Sequence, residues 1–345
     1  MCLAHQTALS ARVKVLIDHS LPFLLAHGGF QIQIEQIAAA LNRVGVTCEW
    51  LRWWDATQRG DVIHFFGRPG RGYIEFAHEK GIKVVMNELL TGLGSRGSTA
   101  RMIQRQVISV LRRSSFFDRC GWQSYELADA VIANTSWEAH LMRHMFSAPA
   151  ERVHIVPNGV EEVFRSHKGG ERGKWLVCTA TITPRKRVLE LAEAAVEART
   201  PVWVIGKPYA EKDPYFQTFL KISANHPDLI RYEGSIQSRE ILADVYSEAR
   251  GFVLLSTMET MSLSASEAGA CRCPILLSDL PWAHSTFGEN ARYCPITNDR
   301  SATAKYLREF YDHAPDAPQG QEALSWEDVG RMFREIYERA LSTSR

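Results

Sequence analysis

Gly251–Asp279, GFVLLSTMETMSLSASEAGACRCPILLSD, opens with the apolar run Phe252 to Leu255 and breaks at Ser256-Thr257. It then sets two carboxylates, Glu259 and Glu267, eight residues apart, and closes on a second apolar run, Pro274 to Leu277. This order reads as strand, loop, helix, strand, with Glu259 on the loop at the carboxyl end of the first strand and Glu267 inside the helix. In an open parallel sheet that edge is where ligands bind, and the free amides of a helix start suit an anion. Two acids beside a phosphate site are poor phosphate ligands. They serve better as hydroxyl acceptors, for a sugar and a ribose, with the amides of Thr260, Met261, Ser262 and Leu263 between them holding a diphosphate. The plainer alternative, a helix cap and a solvated helix acid, is open on this stretch alone.

With the small residues AGACRCP after the second acid, the E-x7-E pattern resembles the nucleotide-sugar signature of retaining glycosyltransferases of the two-Rossmann-domain GT-B fold, family 4 (group 1) in particular. The resemblance continues in ADAVIANTS followed by IVPNGV, Ala128 to Val160, which is similar to the end of that family's first domain. It implies a nucleotide-diphosphate sugar as donor, a hydroxyl of a glycan, lipid or small molecule as acceptor, retention at the anomeric carbon and no further cofactor. No D-x-D motif stands where a metal would be expected, so metal independence is expected as well.

Composition agrees with a globular α/β chain. Its 345 residues suggest two domains of roughly 150 residues each. Residues are 45% hydrophobic and 23% charged, and the formal net charge of +1 argues against a nucleic acid or other bulk polyelectrolyte partner. Seven cysteines without a C-x-x-C pair suggest reduced thiols and no zinc site. No signal-peptide pattern and no run of about 18 uncharged apolar residues is evident, so a cytoplasmic protein is expected. Oligomeric state is not legible.

In chain order, Val13 to Ile17 reads as a buried strand. It leads to Gly28-Gly29 before a helical pattern at Ile32 to Leu41, a turn where a ligand could approach backbone closely or which is merely flexible. Val46 to Trp53, Asp61 to Gly67 and Lys83 to Leu89 supply further strands, spaced for right-handed crossovers. His64 lies on the second of these, open to reading as a packed imidazole or an acceptor contact. Asn87 and Glu88 end the third. The resembled enzymes often carry a histidine there, so the acceptor chemistry departs from the pattern; Glu88 is placed to orient or deprotonate an acceptor hydroxyl.

Arg96 to Arg119 holds six arginines against one acid, Asp118, with Ile103, Val107, Val110, Leu111 and Phe116 near helical spacing. A surface helix packed on the first domain, an anionic-acceptor site and a peripheral contact with the inner face of an anionic membrane are all consistent with it. Thr135 or Ser136 caps the next helix.

Residues 165–174 form the expected linker between an acceptor-binding Rossmann-like domain, 1–164, and a nucleotide-sugar-binding one, 175–324. In the second domain, Lys186 at an expected helix start resembles the family's phosphate-binding lysine. An ammonium there opposes the helix dipole unless an anion lies between. Where the family often has an arginine five residues earlier, this chain has Thr181, and Arg185 is the candidate substitute. Gly206 and Ile236, after two further strands, fall where such enzymes admit the base. Ser325 caps a last amphipathic helix, in 325–345, which the resemblance places across the first domain. Glu259, Lys186, Arg185 and Glu88 are thus the candidate catalytic residues, and His64 and Asn87 the candidate acceptor contacts. An epimerase of the same double-Rossmann shape and a non-catalytic nucleotide-sugar-binding module are the rival readings.

Overall fold

The structure is a computed structural model, and it describes residues 12–20, 22–24, 28–112, 114, 116, 119–167, 170–318 and 322–343. Two six-stranded parallel sheets organise it. The first is built from β1 (Lys14–His19), β2 (Thr47–Trp50), β3 (Val62–Phe66), β4 (Lys83–Asn87), β5 (Ala130–Ala133) and β6 (Val153–Ile155), in the order β2-β1-β3-β4-β5-β6. The second uses β7 (Leu176–Thr179), β8 (Val202–Ile205), β9 (Ile230–Tyr232), β10 (Gly251–Leu254), β11 (Ile275–Ser278) and β12 (Arg292–Cys294), in the order β12-β11-β10-β7-β8-β9. Strands such as VIHFF and GFVL are buried along their whole length, as expected for parallel strands covered on both faces.

The helices that cover these sheets follow from the apolar periodicity. In the first half they are α1 (Gly29–Arg43), α2 (Arg71–Glu79), α3 (Ser98–Leu111) and α4 (Ser136–Phe146). In the second they are α5 (Val188–Glu197), α6 (Pro214–Asn225), α7 (Arg239–Glu248), α8 (Leu263–Ala270), α9 (Pro281–Phe287) and α10 (Arg300–His313), and α11 (Trp326–Ser342) ends the described chain. Thr135 is the cap of α4, its hydroxyl accepting from Glu138 N at 3.2 Å. Ser325 and Asp328 form a reciprocal capping box on α11.

Although α11 follows the second sheet in the chain, it packs on the first. Trp326, Val329, Phe333, Ile336 and Tyr337 share one buried cluster with Val15, Ile17, Phe66 and Val85 of the first sheet and Ile34, Ile37 and Leu41 of α1. The crossing is tight: a Cβ on Gly330 would lie 2.9 Å from the Ala40 carbonyl oxygen. The opposite face of the first sheet has its own core, and the second half has a third. The halves also meet where α9 approaches α4, Ser285 Oγ lying 2.9 Å from Ser136 Oγ.

Several expectations need adjusting. The first helix begins at Gly29 itself, three residues before the apolar pattern. The expected helix start at Lys186 is a 3-10 turn, Pro184–Lys186; the α-helix begins at Val188, after Arg187 adopts a left-handed φ of 53°. In the basic segment only Ile108 of α3 is buried, while Ile103, Val107 and Val110 are 58%, 48% and 80% exposed. Helix packing therefore uses a different stripe from the one expected. Arg113 and Asp118 lie outside the described residues.

Candidate active site

Loop 255–262 and the N-terminus of α8 lie at the carboxyl edge of the second sheet. Ser262 caps α8, its Oγ accepting from Ala265 N at 3.3 Å. The loop is tied to the turn that carries the cations, because Thr257 N donates to Arg185 O at 2.8 Å. Beta-strand β10 and the strand beside it, β7, thus deliver their two connections to one place.

Glu259 is buried there and meets both cations. Lys186 Nζ is 2.5 Å and Arg185 Nη1 3.0 Å from its Oε1, and the same Arg185 nitrogen donates to Met258 O at 2.9 Å. All three are candidates of the sequence reading, which gave the carboxylate to a sugar and the cations to a phosphate. The fold joins them directly.

Glu267, also buried, is bonded through Oε1 to Arg239 at the start of α7. Arg239 reaches a second acid, Glu161, at 2.9 Å, and lies over the Phe164 ring at 4.6 Å. Burial pushes the Glu267 carboxyl up to about 7, against the opposing pull of Arg239. Neither Arg239 nor Glu161 carries a sequence signal for this role: Arg239 precedes Glu267 by 28 positions and only the crossover between β9 and β10 brings them together. Each acid of the E-x7-E pair therefore commits Oε1 to cations, and no hydrogen bond to its Oε2 is made among the described residues. Only Leu263 to Glu267 of the interval is helical, so a helical rise does not set the separation of the two acids.

The remaining donor candidates surround this pair. Met261 is pinned to the chain crossing between the halves, Asn158 N lying 3.3 Å from its Sδ, and Thr260 is buried beside it. Leu263 packs on the first half's core, and a Cβ on Gly29 would lie 3.8 Å from its Cδ1. Gly29 thus faces the α8 start, and Gly28 before it takes a φ of 135°. Thr181 is half-buried in the turn after β7. Gly206 has a packing reason of its own: a Cβ would sit 1.9 Å from Ala180 O. Its amide bonds Gly234 O at 2.9 Å, which draws the two expected base-side turns together, and Ile236 lies half-buried against the core beside them.

The acceptor candidates on the first sheet lie differently. His64 is in the middle of β3 and fully buried under α11, Nδ1 2.8 Å from Tyr337 Oη and its ring stacked on Phe66 at 4.2 Å. Burial pushes its pKa down to about 3. The acceptor role expected of His64 is thereby corrected: its side chain points to the face that α11 covers, not to the sheet edge. Asn87 is buried at the end of β4 and donates to Ile132 O at 3.4 Å. Glu88 has both oxygens engaged, one by Arg68 at 2.9 Å and the other by the Tyr125 hydroxyl. This anchors the β4 end and gives the carboxylate a structural tie on each oxygen.

Comparison with known proteins matches residues 10–159 to the Glycosyl transferase 4-like domain and residues 173–313 to the Glycosyl transferases group 1 family. A D-inositol 3-phosphate glycosyltransferase of Nocardiopsis dassonvillei is 32% identical over 170 residues, covering 43% of this chain and 39% of that protein. The chain thus aligns with about two fifths of the length of this curated relative. Among solved structures, sucrose-phosphate synthase from Thermosynechococcus elongatus superposes with a TM-score of 0.68 at 17% identity, covering 96% of this chain and 100% of that one. Anabaena HepE in complex with UDP does so with 0.62 at 12% identity, covering 95% and 100%. With two parallel sheets, a final helix returned to the first, and family matches over both halves, the chain belongs to the group 1, GT4-type glycosyltransferases of GT-B fold.

Proposed function

We propose that the protein transfers a sugar from a nucleotide-diphosphate sugar to an acceptor hydroxyl, with retention of anomeric configuration and with neither metal nor further cofactor. The observation that carries this reading is the pair of buried acids, Glu259 and Glu267, flanking the α8 N-terminus, each with Oε2 left for a hydroxyl. Glu259 beside Lys186 and Arg185 suits the transferred sugar next to its diphosphate. Glu267, within α8 and bonded to Arg239, suits the ribose.

On this reading the bond between the anomeric carbon and the leaving phosphate oxygen breaks as the acceptor oxygen bonds to the same face of that carbon. The acceptor proton passes to the leaving phosphate. Lys186, Arg185 and the amides of Met261 to Leu263 supply the positive potential that the departing diphosphate requires, where another enzyme would use a metal ion. Calorimetry with UDP, GDP, ADP and TDP identifies the base. Product anomers read by NMR test retention, and turnover unchanged by chelator tests metal independence. Inverted product or loss of turnover with chelator overturns the respective part. An epimerase would release no free nucleotide diphosphate dependent on acceptor, and a binding module would release none at all.

The α3 surface supports a peripheral contact with an anionic bilayer. Met102, Ile103, Val107 and Val110 are exposed on it, with Arg105 and Arg112 alongside. No helix among the described residues is long and apolar enough to cross a membrane. Replacing Arg105 and Arg112 by Glu should abolish sedimentation with anionic vesicles and spare nucleotide affinity; wild-type protein that ignores such vesicles refutes the contact.

A further inference from the structure

In the first sheet β1 leads outward to β2, and the chain then returns to β3 on the other side of β1. Crevices open at such a reversal of strand order. A cavity of about 610 Å³ lies there, at the carboxyl ends of β1 and β3, lined by Asp18, His19, Phe23, Glu35, Trp50 and Trp53 among others. None of these residues belongs to the donor site around Glu259 and Glu267.

The cavity is built and not merely left open. Asp18 is buried, and its carboxylate accepts from Tyr73 Oη at 2.7 Å, His19 N at 2.9 Å and Trp53 Nε1 at 3.3 Å. The last of these holds the indole of Trp53 by its edge while the residue stays 78% exposed. An aromatic plate fixed in advance loses little freedom when a ligand lies on it. Beside it the His19 ring stacks on Phe23 at 4.4 Å, and Trp50 stands edge-on to both at 6.0 and 5.7 Å. Glu35 of α1 presents a carboxylate with one oxygen held by Gln31. Among the described residues the lining contains two acids and neither lysine nor arginine.

Fixed aromatic faces suit the C–H face of a pyranose or cyclitol, and carboxylates suit its hydroxyls. The same carboxylates repel a phosphate dianion. We infer that this cavity is the acceptor subsite and that its acceptor is an uncharged polyhydroxylated ring, a saccharide or cyclitol, in contrast to the inositol 3-phosphate named for the curated relative. The inference rests on the glycosyl-transfer reading. After β1 the chain reaches Gly29, where a Cβ would lie 3.8 Å from Leu263 of the donor site.

The test titrates wild-type protein, Trp53→Ala and Glu35→Lys by calorimetry, with whichever nucleotide diphosphate binds held at saturation. The probes are maltose and myo-inositol, each paired with its monophosphate. Wild type should prefer the neutral member. Trp53→Ala should weaken neutral binding by about 10-fold or more, equivalent to about 1.4 kcal/mol. Glu35→Lys should move the preference toward the phosphate, and both variants should keep wild-type nucleotide affinity. Neutral binding unchanged by Trp53→Ala, tighter binding of the phosphorylated probes to wild type, or no binding of either neutral probe would each overturn the inference. If wild type binds neutral rings through Trp53 yet binds no nucleotide diphosphate, it is the transfer reading that fails, and the saccharide site stands.

Discussion

Replacing Glu267 by Gln isolates the role of the acid inside α8. The substitution preserves the shape of the side chain, keeps one oxygen facing Arg239, and leaves Arg239 its second partner, Glu161, at 2.9 Å. What is lost is the charged Oε2 on which a ribose hydroxyl would donate. A hydrogen bond to a charged acceptor contributes about 1.5 to 3 kcal/mol, so the nucleotide diphosphate should bind roughly 10- to 150-fold more weakly. The site also sets a pH dependence. With the carboxyl pushed up to about 7, wild-type Glu267 is charged only above that pH. The gap between wild type and variant should therefore be widest above about pH 7 and close as pH falls through it. Folding runs the other way. A carboxyl whose folded value exceeds its unfolded value, 4.5, contributes stability that is fully present below 4.5 and lost as pH rises through about 7, and Glu267→Gln should remove that slope. Calorimetric titrations across this range, paired with chemical denaturation, measure both. Equal nucleotide affinity of variant and wild type above pH 7 would refute the ribose assignment.

Three further outcomes follow from the same geometry. Glu259→Gln should lower turnover and leave nucleotide-diphosphate affinity nearly unchanged, as measured by initial rates and calorimetry, because the proposed function assigns its Oε2 to the transferred sugar and not to the nucleotide. Glu88→Gln should cost about 1 to 3 kcal/mol of stability, read from denaturant midpoints, since it weakens the anchor for Arg68 and Tyr125; a fall in turnover without any loss of stability would restore Glu88 as an acceptor base. His64, pushed down to about 3 by burial, contributes stability present above its unfolded value of 6.5 and lost as pH falls toward 3, so acid should loosen α11 first; limited proteolysis of wild type and His64→Gln against pH checks this, the variant showing the shallower dependence.

What the sequence made legible was local. VIHFF, GFVL and ILLS announce buried parallel strands because their apolar runs are short and uninterrupted, and Thr135 and Ser325 announce helix starts because a hydroxyl cap acts within three residues. Glu259 and Glu267 were legible because the strand–loop–helix pattern fixes where they fall. Arg239, Glu161, Asp18 and Trp53 were not, since their partners arrive through the sheet topology from positions 28 or more residues away. His64 stayed open between packing and acceptor contact for a related reason: a period-two strand pattern says which residues share a face but not which face a distant helix will cover.

The return of α11 to the first sheet has a consequence for the order in which the chain can fold. The last strand of that sheet ends at Ile155, and the helix that completes one of its cores begins at Trp326, about 170 residues later. At synthesis rates of about 5 to 20 residues per second, the apolar wall of Val15, Ile17, Phe66 and Val85 waits roughly 10 to 30 s for its cover. The second sheet, whose core is drawn from residues 160–314, has all its strands in hand before then. The half made first is thus the half closed last, and a nascent chain stopped short of residue 326 should carry a finished second sheet beside a first one still open to chaperones and proteases.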